Sequence, residues 1–220
     1  MVAPQLSALT RSPIVLGSRS PRRRDLLAQL VPQERIVVRP PSSSDEAGFN
    51  GLASWAEIET RLFEIVRVKN EDVRAHSDPA AAVLSADTVI VGEAEGELAV
   101  LGQPPEDESW REVVRGWFHR YLLGRPHFAV TGVCLSLGER NWECVVRTKV
   151  VFTLAEPAMV DWYLDTGEPV GKAGGYGLQG AGSVFVEMID GSPSNVIGLP
   201  LRETRNMLID AGLLDGPTMA

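Results

Sequence analysis

Residues 13–30 read PIVLGSRSPRRRDLLAQL. The apolar run Pro13–Gly17 predicts a short buried strand. Leu26, Leu27 and Leu30 share one face of a helix predicted over Pro21–Leu30. Ser20 suits the N-cap, and Pro21 suits the first helical position, where no amide proton is needed. A strand running straight into a helix argues for an α/β fold. Four arginines, Arg19, Arg22, Arg23 and Arg24, crowd this junction. Arginines in a first helical turn oppose the helix dipole, at a cost on the order of a few tenths of a kcal/mol each. A bound anion would remove that conflict, and guanidinium forks match phosphate. The alternatives are a solvated basic face, or an exposed targeting or kinase-substrate peptide. The flanking apolar strand and leucine-faced helix do not suit an exposed peptide.

Strand and helix signals alternate outward from this unit. Ile36–Val38 predicts a strand, and Trp55, Ile58, Leu62, Ile65 and Val66 mark a helix. Val83–Val91 (VLSADTVIV) reads as a strand of the fully buried kind. Trp110 to Leu122 carries the clearest helical stripe. Phe128–Leu137 and Trp142–Leu154 read as paired strands around the turn Gly138–Asn141. A helix near Pro157–Leu164, a strand over Ser183–Ile189 and a helix over Leu201–Ala211 complete the chain. The expected architecture is α/β with a mixed sheet. It is read as one domain over 1–220, with loose ends at 1–12 and 215–220 and a flexible loop over Pro40–Gly51.

At 220 residues, with 44% hydrophobic and 23% charged residues, the chain can bury a core without disulfides or metal. Its formal net charge is −8. That balance argues against a nucleic-acid or anionic-membrane binder, so phosphate chemistry would need a local basic cluster. No apolar run reaches the length of a membrane span. Met1–Ser12 lacks the pattern of a secretory signal. Cys134 and Cys144 fall on adjacent predicted strands, where a cytoplasmic location favours reduced core thiols over a disulfide.

Asp87 lies inside the most apolar strand. A buried carboxylate must be paired, hydrogen-bonded or placed on a metal, and backbone amides at a sheet end could equally satisfy it. Asp45-Glu46 in the polar loop gains meaning only beside Asp87, where two carboxylates from separate segments could hold Mg²⁺. Lys69 could add a charge for phosphates, or be an ordinary surface lysine of its helix. Gly171–Gly182 (GKAGGYGLQGAG) has six glycines in twelve residues, which implies unusual backbone angles, close ligand approach, or a mobile loop. Within it, Lys172 suits phosphate and Gln179 suits the edge of a base. Ser194-Asn195 downstream reads as a turn.

SRSPRRRDLL, SADTVIV, HFAVTGV, GEPVGKAGGYGLQGAGSVFVEMIDG and SNVIGLPL, in this order, resemble the Maf family of nucleoside-triphosphate pyrophosphatases. The resemblance implies a Maf or inosine-triphosphatase-like fold, with a mixed twisted sheet and two lobes around a central cleft. It implies hydrolysis of a nucleoside triphosphate to monophosphate and pyrophosphate with a divalent cation, Mg²⁺ or Mn²⁺. It makes Asp87 the catalytic acid-base residue or metal-linked water activator, with Glu46 as a second acidic metal position. Ser18, Arg23 and Lys69 fall on phosphate positions. Arg22, Thr88 and Gln179 fall on positions linked to substrate choice, and the pattern resembles the dTTP/UTP branch. The expected partner is a nucleoside triphosphate, with no nucleic acid and no membrane; a homodimer is left open.

Two departures stand out. Gln103 occupies a position where the family commonly has lysine, and Leu123 one where it commonly has serine. A lost cation beside a developing pyrophosphate would slow the reaction unless another cation compensates. The alternative reading is therefore a nucleotide-binding protein with weakened catalysis and a regulatory role in cell division.

Overall fold

The apolar run containing Asp87 becomes the strand to which most of the sheet attaches. The computed structural model describes residues 12–42 and 48–217. In chain order the elements are β1 (Ile14–Gly17), α1 (Pro21–Leu27), β2 (Ile36–Val38), α2 (Trp55–Ala75), β3 (Ala82–Ala94), β4 (Glu97–Leu101), α3 (Trp110–Trp117), β5 (Pro126–Leu137), β6 (Arg140–Phe152), α4 (Pro157–Asp165), β7 (Val186–Asp190), α5 (Pro193–Ile197) and α6 (Leu201–Asp210). Among the described residues seven strands form one mixed sheet, ordered β2-β1-β3-β5-β6-β7, with β4 paired to β3. β1 runs parallel to β2 and β3, and every other pairing is antiparallel. The fold class is the mixed α/β arrangement expected.

Several boundaries differ from the periodicity reading, each for a local reason. α1 stops at Leu27 because Gln29 and Leu30 take tighter turn bonds, and Pro32 disfavours helix at Val31. α2 extends nine residues past Val66, with its start held by a capping box between Ser54 and Glu57. β4 was not expected; the turn Glu95-Gly96, with both residues at positive φ, folds it back on β3. The helix at Trp110 widens into a π-turn over Phe118–Leu122. Ala181–Phe185 winds into a 3-10 turn, so β7 begins at Val186. α5 occupies what read as a turn.

Cys134 and Cys144 are free thiols. Cys134 lies opposite Glu143 in the register, so Cys144 projects from the other face of the sheet. Burial pushes both thiols up to about 12. Of the stretches expected to be loose, Ser12 offers its carbonyl to Arg35 Nε at 3.0 Å, and the Pro217 carbonyl accepts from Arg205 at 2.6 Å. Ser42 at the rim of the polar loop is held by Asp72. Residues 1–11, 43–47 and 218–220 lie outside the described residues.

The core divides along β3. Leu26 and Leu27 of α1 pack with Leu84, Ala86 and Leu208 at one end, and Val114, Phe118, Tyr163 and Phe185 pack with Ile90 at the other. Ile58 and Leu62 of α2 cover Val89 and Val91 on the opposite face. Along one edge of β3, β1 pairs with Ala82–Ser85 and β4 with Ile90–Ala94. Ala86–Val89 between them have no strand neighbour on that side among the described residues. The gap opens outside the carboxyl end of β1, where helices leave to both faces of the sheet, and such points favour ligand crevices.

Candidate active site

The alternation of β3 sends successive side chains in the gap to opposite faces. Asp87 turns toward α2 and Thr88 toward α1. Lys69 Nζ donates to Asp87 Oδ1 at 2.8 Å, and Arg23 Nη2 lies 3.9 Å from the same oxygen. The three side chains are 13–16% exposed. Lys69 is therefore no surface lysine. It lies three and four residues beyond Val66 and Ile65, on the stripe of α2 that faces the sheet.

Arg23 is held on several sides. Its Nε donates to the Gly198 carbonyl at 2.9 Å, Nη1 to Ser18 Oγ at 3.3 Å and Nη2 to Thr88 Oγ1 at 3.0 Å. One guanidinium thus ties the start of α1, the middle of β3 and the end of α5. Ser18 is buried and also accepts from Ser20 N–H at 3.1 Å. Thr88 Oγ1 lies 3.0 Å from Thr131 Oγ1, so its hydroxyl is engaged in this lattice.

The cleft encloses about 1330 Å³. Among the described residues five basic side chains (Arg19, Arg22, Arg23, Lys69 and Lys172) and three acidic ones (Asp87, Glu106 and Glu168) line it. The local balance is positive in an acidic protein. Arg24 does not join the other arginines; it pairs with Asp25 in solvent. Lys172 and Arg22 both line the opening. Burial lowers the Lys172 pKa most, the Glu168 carboxylate raises it, and the Arg22 charge lowers it. Gln179 and Gln103 are exposed at the rim. Glu46 lies outside the described residues.

Two buried amides hold this geometry: Asn70, not singled out from the sequence, and Asn195, read there only as part of a turn. Asn70, next to Lys69, donates through Nδ2 to the carbonyls of Val83 (3.0 Å) and Cys134 (3.2 Å), and accepts from Ser136 Oγ at 2.7 Å. Asn195 donates through Nδ2 to the carbonyls of Ala129 and Val146, pinning α5 and hence Gly198. Asn70 carried a legible signal, being a polar residue on an apolar helical stripe. Asn195 carried none beyond its neighbours.

Among the described residues no group of three His, Cys, Asp or Glu side chains forms a metal cage. Mg²⁺ is often held by one or two carboxylates plus substrate phosphates. Asp87, a single carboxylate facing a cation-lined opening, fits that donor set.

An α/β sheet interrupted at one edge, with a carboxylate and several cations around the gap, defines a cleft protein built for a polyanionic ligand. The chain belongs to the Maf-like protein family, whose model matches residues 13–211. A dTTP/UTP pyrophosphatase of Anaeromyxobacter dehalogenans (strain 2CP-C) is 41% identical over 204 residues, covering 90% of this chain and 94% of the relative. One from Shewanella oneidensis is 36% identical over 203 residues, covering 91% and 99%. One from Pyrococcus furiosus is 33% identical over 188 residues, covering 86% and 90%.

Proposed function

We propose that this protein is a nucleoside-triphosphate pyrophosphatase that hydrolyses dTTP and UTP to the nucleoside monophosphate and pyrophosphate. The observation that carries the reading is the convergence of Asp87, Lys69 and Arg23 in the β3 gap. The names of the relatives, matched over nearly their whole length, supply the nucleotide.

Asp87 orients a water for in-line attack on the α-phosphorus and accepts its proton. Lys69 holds the Asp87 carboxylate in one orientation. Ser18, Arg23, Arg22 and Lys172 receive the phosphate chain, so catalysis is mainly positioning and electrostatics. A divalent cation, Mg²⁺ or Mn²⁺, held by Asp87, Glu46 and phosphate oxygens, would neutralise charge on the departing pyrophosphate. Thr88 acts through Arg23, while Gln179, with both a donor and an acceptor, reads the base edge. We assign all these residues to one domain and the reaction to the cytoplasm.

Pyrophosphate release from a panel of nucleoside triphosphates with Mg²⁺ or Mn²⁺ tests the reading. Release from dTTP and UTP ahead of purine nucleotides is expected; no release from any of them, with folded protein, overturns it. Gln103 at the rim favours a second reading, a nucleotide-binding regulator of division with weakened catalysis. That reading requires thermal stabilisation by dTTP without turnover.

A further inference from the structure

The glycine-rich loop is built around a side chain that the proposed reaction does not use. Glu168 follows α4, held there by the Thr166 hydroxyl, which accepts its N–H at 3.1 Å. Its carboxylate accepts the backbone N–H of Ala181 through Oε2 at 2.5 Å and of Gly182 through Oε1 at 3.2 Å. The Tyr163 hydroxyl stands 3.3 Å from Oε1, and burial keeps that phenol protonated. Lys172 Nζ donates to the carbonyl of Glu168 itself.

The same carboxylate accounts for one of the glycines and bears on a second. A Cβ on Gly180 would overlap it, and one on Gly177 would meet Lys172 Cε at 2.9 Å and Glu168 Oε1 at 3.0 Å. Gly174 and Gly175 have positive φ and sit directly on Ile90 and Val114. Half-buried Glu168 therefore clamps one limb of the loop while the core holds the other. Gln179 falls between these anchors in the chain and Lys172 just before them, and both line the cleft.

We propose that Glu168 is a positioning residue for base selection: by clamping the amides of Ala181 and Gly182 it shapes the loop that presents Gln179 and Lys172 to the nucleotide. The identity of the ligand rests on the function proposed above. A loop ordered in advance spares the bound state the entropy of ordering it, so losing the clamp weakens binding and selection more than the chemical step.

Three variants test this: Glu168→Ala, Glu168→Gln and Gly180→Ala, each checked for folding by thermal denaturation. Hydrogen exchange at Ala181 and Gly182 is measured without nucleotide, and kcat and KM are measured for dTTP and dGTP. In Glu168→Ala, exchange at both amides accelerates, KM for dTTP rises about tenfold, and the dTTP-over-dGTP ratio of kcat/KM falls about as much. Its kcat for dTTP changes less than about threefold. Glu168→Gln, keeping one acceptor oxygen, falls between. Gly180→Ala reproduces the defect in the wild-type background and adds little to it in Glu168→Ala, where the overlap is gone. Unchanged exchange at both amides, or unchanged KM and selectivity, overturns the proposal. So does a collapse of kcat at constant KM, which would put Glu168 on the reacting atoms. If the wild-type protein turns over no nucleotide, the function fails and base selection fails with it, while exchange still decides whether Glu168 clamps the loop.

Discussion

Lys69 and Asp87 meet at 2.8 Å across the face between α2 and β3, both largely withdrawn from solvent. They lie eighteen positions apart in the chain, and neither segment marks the other as its partner. Their contact joins a strand aspartate and a helix lysine in one ion pair, and Arg23 adds a second cation 3.9 Å from the same carboxylate oxygen.

Asp87→Asn keeps the shape of the side chain and removes its capacity to take a proton. Pyrophosphate release from dTTP should fall by roughly 10²–10⁴-fold, with little change in unfolding midpoint. An assay at saturating dTTP checks this, and full activity in the variant would remove Asp87 from the proposed role.

Arg23→Lys should lose stability as well as activity. The guanidinium serves Gly198, Ser18 and Thr88 together, a geometry that a single ammonium does not reproduce. The expected loss is about 1–3 kcal/mol in urea unfolding. Arg22→Lys, at a partly exposed residue whose side chain makes no hydrogen bond among the described residues, should stay within about 0.5 kcal/mol of the parent.

Asn70→Ala tests whether Lys69 is placed by its neighbour. The substitution removes a buried amide that joins β3 to β5 and leaves the Ser136 hydroxyl without its acceptor. A loss of about 1–3 kcal/mol is expected in urea unfolding. Activity measured well below the unfolding temperature should fall too.

His127 gives the protein an acid-sensitive core. Burial lowers its pKa to about 4 from an ordinary 6.5, and its Nε2 lies 3.0 Å from the Tyr176 hydroxyl. The unfolded chain takes up a proton near pH 6.5 that the native state refuses until near pH 4. The resulting stability is complete above pH 6.5 and drains away as pH falls through that window, by about 3 kcal/mol. Urea midpoints followed from pH 7 to 4 should decline, and His127→Gln should show a shallower decline.

Gln103→Lys introduces at the cleft rim the cation that the family resemblance implies. If the missing charge limits the reaction, kcat for dTTP should rise about tenfold or more, with pyrophosphate release as the readout. An unchanged rate would mean that the other cations of the cleft already suffice.

Much of this arrangement was legible in the chain. The strand–arginine–helix junction, the buried strand holding Asp87 and the β5–β6 hairpin follow from periodicities of two and 3.6 and from turn chemistry, which are local properties. Lys69 and Asn70 were readable in principle, as polar residues on the inward stripe of α2. β4 was missed because its turn, Glu95-Gly96, lacks the usual asparagine or aspartate before glycine.

Local composition by itself determined that an acidic chain concentrates arginines between a strand and a helix, and that an aspartate sits in an apolar strand. Only the tertiary structure decided that Arg24 turns away, that Arg23 is a tie among three elements, and that Gly180 makes room for Glu168. The physical reason is reach. Strand and helix preferences act over a few residues, whereas these contacts join positions up to 175 residues apart, and they exist only once the sheet has set its order and left a gap beside β3.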